Sequence, residues 1–343
     1  MIVAVDTQLA VGTATGAGVY ARDLVCALRE AGIDARAVQR TSLDPWRFDR
    51  RVLWDQLLLP LAAARSGAAV LHAASGTLPL VRTLPTVVTV HDVAWLRVQA
   101  HTRSYARAYF GALQSHAYRS ADAVVCDSRF SADEYRALID PKAAPDVIYP
   151  GVDPRFGALQ RRPDEAPFAL VVGTVEARKN LALLVETLPS LPSLRIVSVG
   201  PHTAYAETVR ARAAELHVAD RVDLRGYVTR EQLDDLYVRA TCALIPSRYE
   251  GFGYALAEAL CAGLPAFAAR TSSLIEVADD DALLLPADDA SAWSEALRAF
   301  LGNREAAEAT AHARRVHAIA RFSWATAARA MMEIYQRITS LSR

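Results

Sequence analysis

The chain has 343 residues, enough for two domains of ordinary size. Hydrophobic residues make up 52% of it and charged residues 22%, which excludes an intrinsically disordered protein. The formal net charge is zero, so we expect no nucleic-acid partner.

The four cysteines lie far apart in sequence and show no metal-ligand spacing, which favours reduced, buried thiols and a cytoplasmic protein. The amino terminus begins with a strand-like apolar run and lacks the pattern of a secretory leader. No apolar run reaches the ~18 residues of a membrane-spanning helix. Any membrane contact is therefore expected to be peripheral, at the inner face.

Short apolar runs alternate with longer segments of helical pattern in the first half of the chain. The runs occupy residues 2–5, 69–72, 86–90, 123–126 and 146–149. Continuous apolar strands separated by helices predict a parallel sheet that is covered on both faces.

Two elements of the first half lie at predicted strand ends. A loop containing Gly16, Ala17 and Gly18 precedes a predicted helix at residues 20–31; it lacks Rossmann and Walker spacing but is placed to touch a phosphate or an acceptor. His91 and Asp92 close the run at 86–90, where a side chain reaches the crevice of such a sheet and Asp92 can orient the ring. A purely structural histidine remains the alternative.

Residues 93–121 contain no acidic residue, and arginines alternate there with aromatic residues. Arg103 and Arg107 are four residues apart and so share one face of a predicted helix. Residues 95–119 could therefore dock on an anionic membrane surface. The alternative is a partly buried helix whose aromatic side chains belong to the core.

A second series of apolar runs follows the polar stretch 160–167. It occupies residues 170–172, 195–199, 221–224, 242–245, 266–268 and 283–285. We therefore predict a first domain at residues 1–163, a second at 164–320, and a closing helix at 321–343.

The first strand of the second series leads into Gly173, Thr174 and, a few residues on, Arg178, Lys179 and Asn180. Two adjacent cations at a strand–helix junction are suited to stabilising the charge that develops on a departing diphosphate. Lys179 is one of only two lysines in the chain. A solvated helix start is the structural alternative.

The most specific motif is Glu250-Gly251-Phe252-Gly253, with Glu258 eight residues after Glu250, and it directly follows the run 242–245. Glycines let the backbone approach a ligand, and a helix that begins there points free N–H groups at the crevice. Glu250 can accept hydrogen bonds from sugar hydroxyls, and Glu258 can hold a ribose diol. The alternative is a turn followed by an ordinary amphipathic helix.

This segment resembles the signature of glycosyltransferase family 4. The resemblance implies an α/β chain of the GT-B fold, with two Rossmann-like, doubly wound domains facing across a cleft. It implies that the first domain binds the acceptor, that the second binds a nucleotide sugar, and that the closing helix returns to the first domain. It also implies that Glu250 contacts the donor sugar and Glu258 the ribose.

The other motifs are similar to elements of the same family. The segment around Arg178 resembles its diphosphate clamp, although family members carry arginine where this chain has Thr174, so Arg178 is the candidate to supply that charge. The resemblance makes His91, Arg178, Lys179 and Glu250 the catalytic candidates. The donor-binding candidates are Gly173, Thr174, Arg178, Lys179, Asn180, Tyr227, Val228, Glu250, Gly251, Phe252, Gly253 and Glu258. The acceptor-binding candidates are Gly16, Ala17, Gly18 and Asp92.

The function implied by the resemblance is retaining transfer of a hexose, without a metal or another cofactor, from a nucleotide diphosphate sugar. GDP-mannose or a similar GDP-sugar is the expected donor, and a saccharide or lipid-linked glycan the expected acceptor. Two alternatives stay open, a nucleotide-sugar epimerase of the same fold and a non-catalytic nucleotide-sugar-binding protein.

Overall fold

The computed structural model describes residues 1–12, 16–97 and 108–341, which divide into two compact units. Unit 1 comprises Met1–Gly151 with Ser323–Arg343, and unit 2 comprises Val152–Phe322. The first boundary thus falls before the polar stretch 160–167 instead of inside it. Arg161 explains the difference, because its guanidinium binds the backbone carbonyl of Ala240 and the carboxylate of Glu308, both in unit 2.

Each unit is built on one six-stranded parallel sheet, as the apolar runs predict. The strands of unit 1 are β1 Ile2–Asp6, β2 Asp34–Val38, β3 Val70–Ala73, β4 Thr86–Val90, β5 Ala123–Cys126 and β6 Asp146–Val147. Those of unit 2 are β7 Phe168–Val172, β8 Arg195–Val199, β9 Val222–Leu224, β10 Cys242–Ile245, β11 Ala266–Ala269 and β12 Leu284–Leu285. Strand β2 was not predicted, because this edge strand contains exposed charged residues between its apolar ones and so lacks an apolar run.

Helices cover the sheets. In chain order the described helices are α1 Gly16–Glu30, α2 Phe48–Leu53, α3 Leu59–Arg65, α4 Ala94–Arg97, α5 Gln114–Arg119, α6 Arg129–Leu138, α7 Leu181–Thr187, α8 Tyr205–Glu215, α9 Arg230–Arg239, α10 Tyr254–Ala262, α11 Leu274–Ala278, α12 Ala290–Leu301, α13 Arg304–Arg321 and α14 Trp324–Leu341. Two π-helical turns, Trp54–Leu58 and Ala108–Leu113, lead into α3 and α5. Within the described ranges, no helix combines the length and hydrophobicity needed to span a bilayer.

Apolar side chains are buried on both faces of the sheet of unit 1. Val3 and Val5 face α1 and the closing helix α14, whereas Ala4, between them, faces Trp54 and Leu59. This alternation follows from the two-residue period of a strand. Helix α14 therefore belongs to unit 1, where its Tyr335 hydroxyl hydrogen-bonds the buried His72 Nδ1 over 2.6 Å.

The strand order in unit 2 is β12-β11-β10-β7-β8-β9, which makes β7 and β10 neighbours. The order of the strands reverses between these two, and the crevice at the carboxyl end of such a switch point is where doubly wound sheets bind ligands. Both of the predicted donor motifs begin at these two strand ends.

Candidate functional site

The loops that follow β7 and β10 lie side by side in unit 2. A small cavity at this place is lined by Gly173, Thr174 and Lys179 from the first loop and by Pro246 and Ser247 from the second. The backbone N–H of Arg248 donates to the carbonyl of Arg178 over 2.8 Å and fastens the two loops together. The strand pairing therefore joins two motifs that are some seventy residues apart in sequence.

Glu250 is the centre of this site. Its carboxylate accepts from Lys179 Nζ over 2.5 Å and from Ser247 Oγ over 2.7 Å, and it lies 3.4 Å from an Arg178 guanidinium nitrogen. Arg178 also pairs with Glu176 over 2.8 Å and donates to the carbonyl of Tyr249 over 3.0 Å. The two predicted clamp cations and the predicted sugar-contacting glutamate thus form one network.

The charge state of Glu250 follows from this environment. Burial alone would raise its pKa, but Lys179 and Arg178 outweigh burial and hold the pKa below its usual range. The carboxylate is therefore ionised, and it offsets part of the positive charge of the two cations. Only 8% of the Glu250 side chain is exposed.

Residues 271–273 hold the backbone of Glu250 in place. The N–H of Glu250 donates to Ser272 Oγ over 3.0 Å, and Ser273 Oγ donates to the Glu250 carbonyl over 2.9 Å. Gly253, the cap of α10, has a φ of +94°, and a β-carbon there would lie 2.7 Å from Leu274. Only glycine fits this conformation and this close approach, which set the start of α10.

The structure gives the remaining donor candidates different surroundings. The Phe252 side chain is buried against Tyr254 and Phe322, so only its backbone is placed for a ligand. Glu258 is half-buried in the second turn of α10, and its Oε2 accepts from the Tyr237 hydroxyl over 2.8 Å. Asn180 adopts a left-handed conformation, and its side-chain amide donates to the carbonyl of Ala287.

Two more donor candidates, Tyr227 and Val228, follow Gly226 in the loop after β9. The side chain of Tyr227 is 55% exposed, and that of Val228 is half-buried. The carbonyl of Gly226 accepts from Gly200, which fixes this loop against the one after β8. Gly251, next to Glu250, is buried.

His91, in unit 1, has both ring nitrogens against acceptors. Nδ1 lies 2.6 Å from the carboxylate of Asp127, and Nε2 lies 2.9 Å from the carbonyl of Ala74. A carbonyl oxygen can only accept, so Nε2 carries the proton that bonds to Ala74, and when the ring is protonated Nδ1 donates to Asp127 as well. Burial alone would lower the pKa of His91, but Asp127 raises it above the usual 6.5.

The carboxylate that orients the His91 ring is therefore Asp127, and the prediction that Asp92 does so is wrong. Asp92 instead accepts from the backbone N–H of Ala94 over 3.0 Å and lines a cavity of unit 1. Asp127 follows strand β5, which pairs with β4, so the two strand ends place it beside His91. In the sequence, Asp127 is visible only as an acidic residue directly after the run 123–126. Its contact with His91 could not be predicted without knowing that β4 and β5 are neighbours.

The acceptor candidates Gly16, Ala17 and Gly18 form the first turn of α1. Gly16 is exposed, whereas Gly18 is buried, and a β-carbon on Gly18 would lie 2.1 Å from the carbonyl oxygen of Leu9. Gly18 is thus required by packing. The preceding residues 13–15 lie outside the described part of the chain.

The basic, aromatic stretch 95–119 is described only at its two ends, and Arg103 and Arg107 fall outside the described residues. Tyr109 is buried, and its hydroxyl donates to Asp55 over 2.8 Å. Tyr118 is buried as well, and it donates to the carbonyl of Gly76. These two aromatic side chains belong to the core.

Two family models match this chain. Residues 158–316 match the model described as glycosyl transferases group 1, and residues 14–156 match the one described as glycosyltransferase family 4. The two matched segments correspond closely to unit 2 and to the amino-terminal part of unit 1.

Curated relatives are similar to this chain over part of their length. A D-inositol 3-phosphate glycosyltransferase of Xylanimonas cellulosilytica is 33% identical over 248 residues, which cover 64% of this chain and 58% of that protein. A glycogen synthase of Mycobacterium tuberculosis is 27% identical over 261 residues, which cover 74% and 63%. The chain thus spans less than two thirds of the length of these relatives.

Solved structures are similar over nearly the whole chain. A sucrose-phosphate synthase (tll1590) from Thermosynechococcus elongatus has a TM-score of 0.80 at 21% identity, and the match covers 99% of this chain and 100% of that one. Anabaena Alr3699/HepE, crystallised in complex with UDP, has a TM-score of 0.73 at 16% identity over 98% of this chain and 99% of that one. At these identities the likeness concerns the fold.

Proposed function

Because this chain belongs to the glycosyltransferases of family 4, which have the GT-B fold, we propose that it transfers a hexose from a nucleoside diphosphate sugar to a saccharide or lipid-linked glycan. The observation that carries the proposal is the network of Lys179, Arg178 and Glu250 at the switch point of unit 2. Two cations beside a strand–helix junction suit a diphosphate, and the buried carboxylate fixes their positions.

The proposed reaction retains the configuration of the anomeric carbon. The bond between this carbon and the diphosphate oxygen breaks, and the acceptor hydroxyl oxygen bonds to the same face. The hydroxyl proton passes to the departing phosphate, while Lys179 and Arg178 stabilise its negative charge. The backbone N–H groups at the start of α10 and the carboxylate of Glu250 are proposed to hold the sugar, and Glu258 the ribose.

The proposed donor is GDP-mannose or a similar GDP-sugar, on the resemblance of the His91-Asp92 and Arg178-Lys179-Asn180 motifs to mannosyl-transferring members. UDP is the competing nucleotide, since a structural neighbour was crystallised with UDP-glucose. Calorimetric titration with GDP, UDP and ADP identifies the preferred base. The measurement needs no acceptor, because only the nucleoside diphosphate is titrated. A protein that binds none of them does not have the proposed function.

The clamp is tested with the two lysines of the chain. Lys179→Ala should lower kcat/KM by roughly tenfold to a thousandfold, because it removes charge stabilisation of the leaving group. Lys142→Ala is the matched control, since Lys142 is exposed in the turn after α6. A change below threefold for Lys179→Ala would remove Lys179 from the proposed mechanism.

We propose that the reaction needs no metal ion, so activity should survive treatment with EDTA. Complete loss of activity that returns with added manganese would contradict this. Rates are measured on protein that has been dialysed against the chelator, so that a tightly bound ion does not escape detection.

Peripheral attachment to an anionic membrane through residues 95–119 remains a prediction. The exposed residues there include Leu96 and Arg97, although Arg97 also binds Glu134 over 2.7 Å. Binding to vesicles with anionic lipid should weaken as salt rises. Equal binding to neutral vesicles, or none to anionic ones, would favour the buried-helix alternative.

A further inference from the structure

One side of unit 1 carries leucine side chains that are open to solvent. Helix α2, the π-helical turn Trp54–Leu58 and α3 form one continuous helical segment from residue 48 to residue 65. Three leucines on this segment are well exposed, Leu53 at 40%, Leu57 at 58% and Leu61 at 51%. The outward face of a surface helix is ordinarily polar, so these leucines call for an explanation.

The leucines belong to a row of residues spaced four apart, which we call the outer row. It begins at Asp49 and ends at Arg65, and all five of its members are exposed. Four residues along an ideal α-helix the direction has turned by about 40°, so such a row normally winds around the helix. The π-helical turn has wider hydrogen-bonded loops and reduces this rotation. The opposite side of the segment is buried throughout, at Arg51, Asp55, Leu59 and Ala63.

A neighbouring loop widens the apolar surface. Nε2 of Gln56 donates to the carbonyl of Leu78, and its Oε1 accepts from the backbone N–H of Leu80, both over 3.0 Å. Residues 78–81 therefore lie against the helical segment. Leu80 is 43% exposed and Val81 75%. Contiguous exposed apolar patches of this kind mark interaction sites.

The outer row is complementary to itself. A two-fold axis through Leu57 would place the row of one copy antiparallel to the row of a second copy. Leu53 then faces Leu61 of the second copy, and Asp49 faces Arg65 of the second copy. The same contacts occur twice, as in every two-fold symmetric interface.

The charge at the start of the row favours a protein partner over an anionic membrane. Asp49 would be repelled by anionic lipid headgroups. It pairs with Arg47 over 3.1 Å, but both side chains are more than half exposed, so this pair contributes little. The carboxylate is therefore accessible to a guanidinium group of a second copy.

We propose that the outer row, together with Leu80 and Val81, is the contact surface of a symmetric antiparallel dimer of this chain. Helices that cross at about 20° remain in contact along a row about 24 Å long. The leucines form the apolar centre, and two pairs of Asp49 with Arg65 close its ends. These side chains expose less than the roughly 800 Å² per partner of a standard interface, so the dimer is reversible. The inference goes beyond the proposed transfer reaction and does not depend on it.

Analytical ultracentrifugation of the full chain tests the association, from about 1 to about 200 μM protein, where micromolar dissociation constants are measurable. The wild-type protein should dimerise within this range. Leu57→Glu should weaken association more than tenfold, because it places two carboxylates together on the two-fold axis. Val316→Glu is the control, since Val316 is 75% exposed on α13 of unit 2 and should leave the dimer unchanged. The melting temperature of each variant shows that it remains folded.

A charge exchange tests the antiparallel register. Asp49→Arg and Arg65→Asp should each weaken self-association at least threefold, because each variant brings two pairs of like charges together. An equimolar mixture of the two variants should recover the wild-type affinity, since every end pair of the mixed dimer joins opposite charges. High salt should reduce both effects.

The proposal is overturned if the wild-type protein stays monomeric over the whole range, or if Leu57→Glu dimerises as tightly as the wild type. It is overturned as well if the mixture associates no better than its components. Binding of monomeric wild-type protein to anionic vesicles, abolished by Leu57→Glu, would assign the outer row to a lipid surface instead of a second copy.

Discussion

Glu250 and Glu258 are eight residues apart, but they have different partners. Glu250 binds two cations, whereas Glu258 accepts from a neutral tyrosine hydroxyl. Removing the charge of Glu250 therefore changes the electrostatics of the clamp, and removing that of Glu258 does not. The two carboxylates can be separated by one pair of variants.

Glu250→Gln should lower kcat but keep or tighten the affinity for free nucleoside diphosphate, because Lys179 and Arg178 lose the anion that offsets their charge. Glu258→Gln should instead weaken nucleotide binding by about 1–3 kcal/mol, as expected when a buried polar contact is lost. Calorimetry on both variants measures the affinities, and Tyr237→Phe controls for loss of the internal hydrogen bond. If Glu250→Gln loses affinity for nucleoside diphosphate and Glu258→Gln keeps it, then Glu250 binds the ribose and Glu258 the sugar.

The His91–Asp127 pair should be visible in a pH titration. Because the folded-state pKa of His91 is raised above 6.5, the pair stabilises the fold below that pH, and this contribution is lost as pH rises through the raised pKa. Asp127→Asn should lower the pKa of His91, because burial is then opposed only by the weaker effects of the Ala74 carbonyl and Asp92. NMR of the His91 ring as a function of pH gives its pKa in the wild-type protein and in Asp127→Asn.

Two internal comparisons sharpen that measurement. Asp92→Asn should shift the pKa of His91 much less than Asp127→Asn, because Asp92 contributes the smallest of the effects on the ring. His72 should stay neutral throughout, since burial and the nearby His91 lower its pKa to about 3. A larger shift in Asp92→Asn would restore Asp92 as the orienting carboxylate.

At the scale of elements, the sequence predicted what is local and missed what depends on strand order. Apolar runs located β7 and β10, and the glycines located the start of α10. The contact between Glu250 and Lys179, however, exists because β7 and β10 are neighbours, which no local pattern encodes. The role of Asp127 beside His91 was not predicted for the same reason. Edge strand β2 was not predicted because only part of it is buried.

The loop into α10 depends on Gly253. Gly253→Ala should destabilise unit 2 by about 1–3 kcal/mol, because alanine is strained at a φ of +94° and its β-carbon would clash with Leu274. Gly302→Ala, at the end of α12, is the control: its φ is −75°, and the nearest atoms to an added β-carbon are 3.5 Å away. Equal melting temperatures for the two variants would show that the turn tolerates a side chain.

The whole molecule consists of two units, each with its own parallel sheet, and the chain passes between them at residues 151–152 and 322–323. We therefore expect calorimetric unfolding to show two transitions. Gly253→Ala should lower the one that belongs to unit 2. Tyr335→Phe should lower the other, because it leaves the buried Nδ1 of His72 without the hydrogen bond that joins α14 to the sheet of unit 1.

A nucleoside diphosphate should then act on one transition only. At a concentration of 100 times Kd it adds about 2.7 kcal/mol to the stability of the unit that binds it, and the proposed site lies wholly in unit 2. Ligand should raise the temperature of the transition that Gly253→Ala lowers. The temperature of the transition that Tyr335→Phe lowers should not change. If ligand raised the Tyr335→Phe transition alone, the nucleotide would bind unit 1 and the donor assignment would fail. If both transitions rose together, the two units would unfold as one cooperative body.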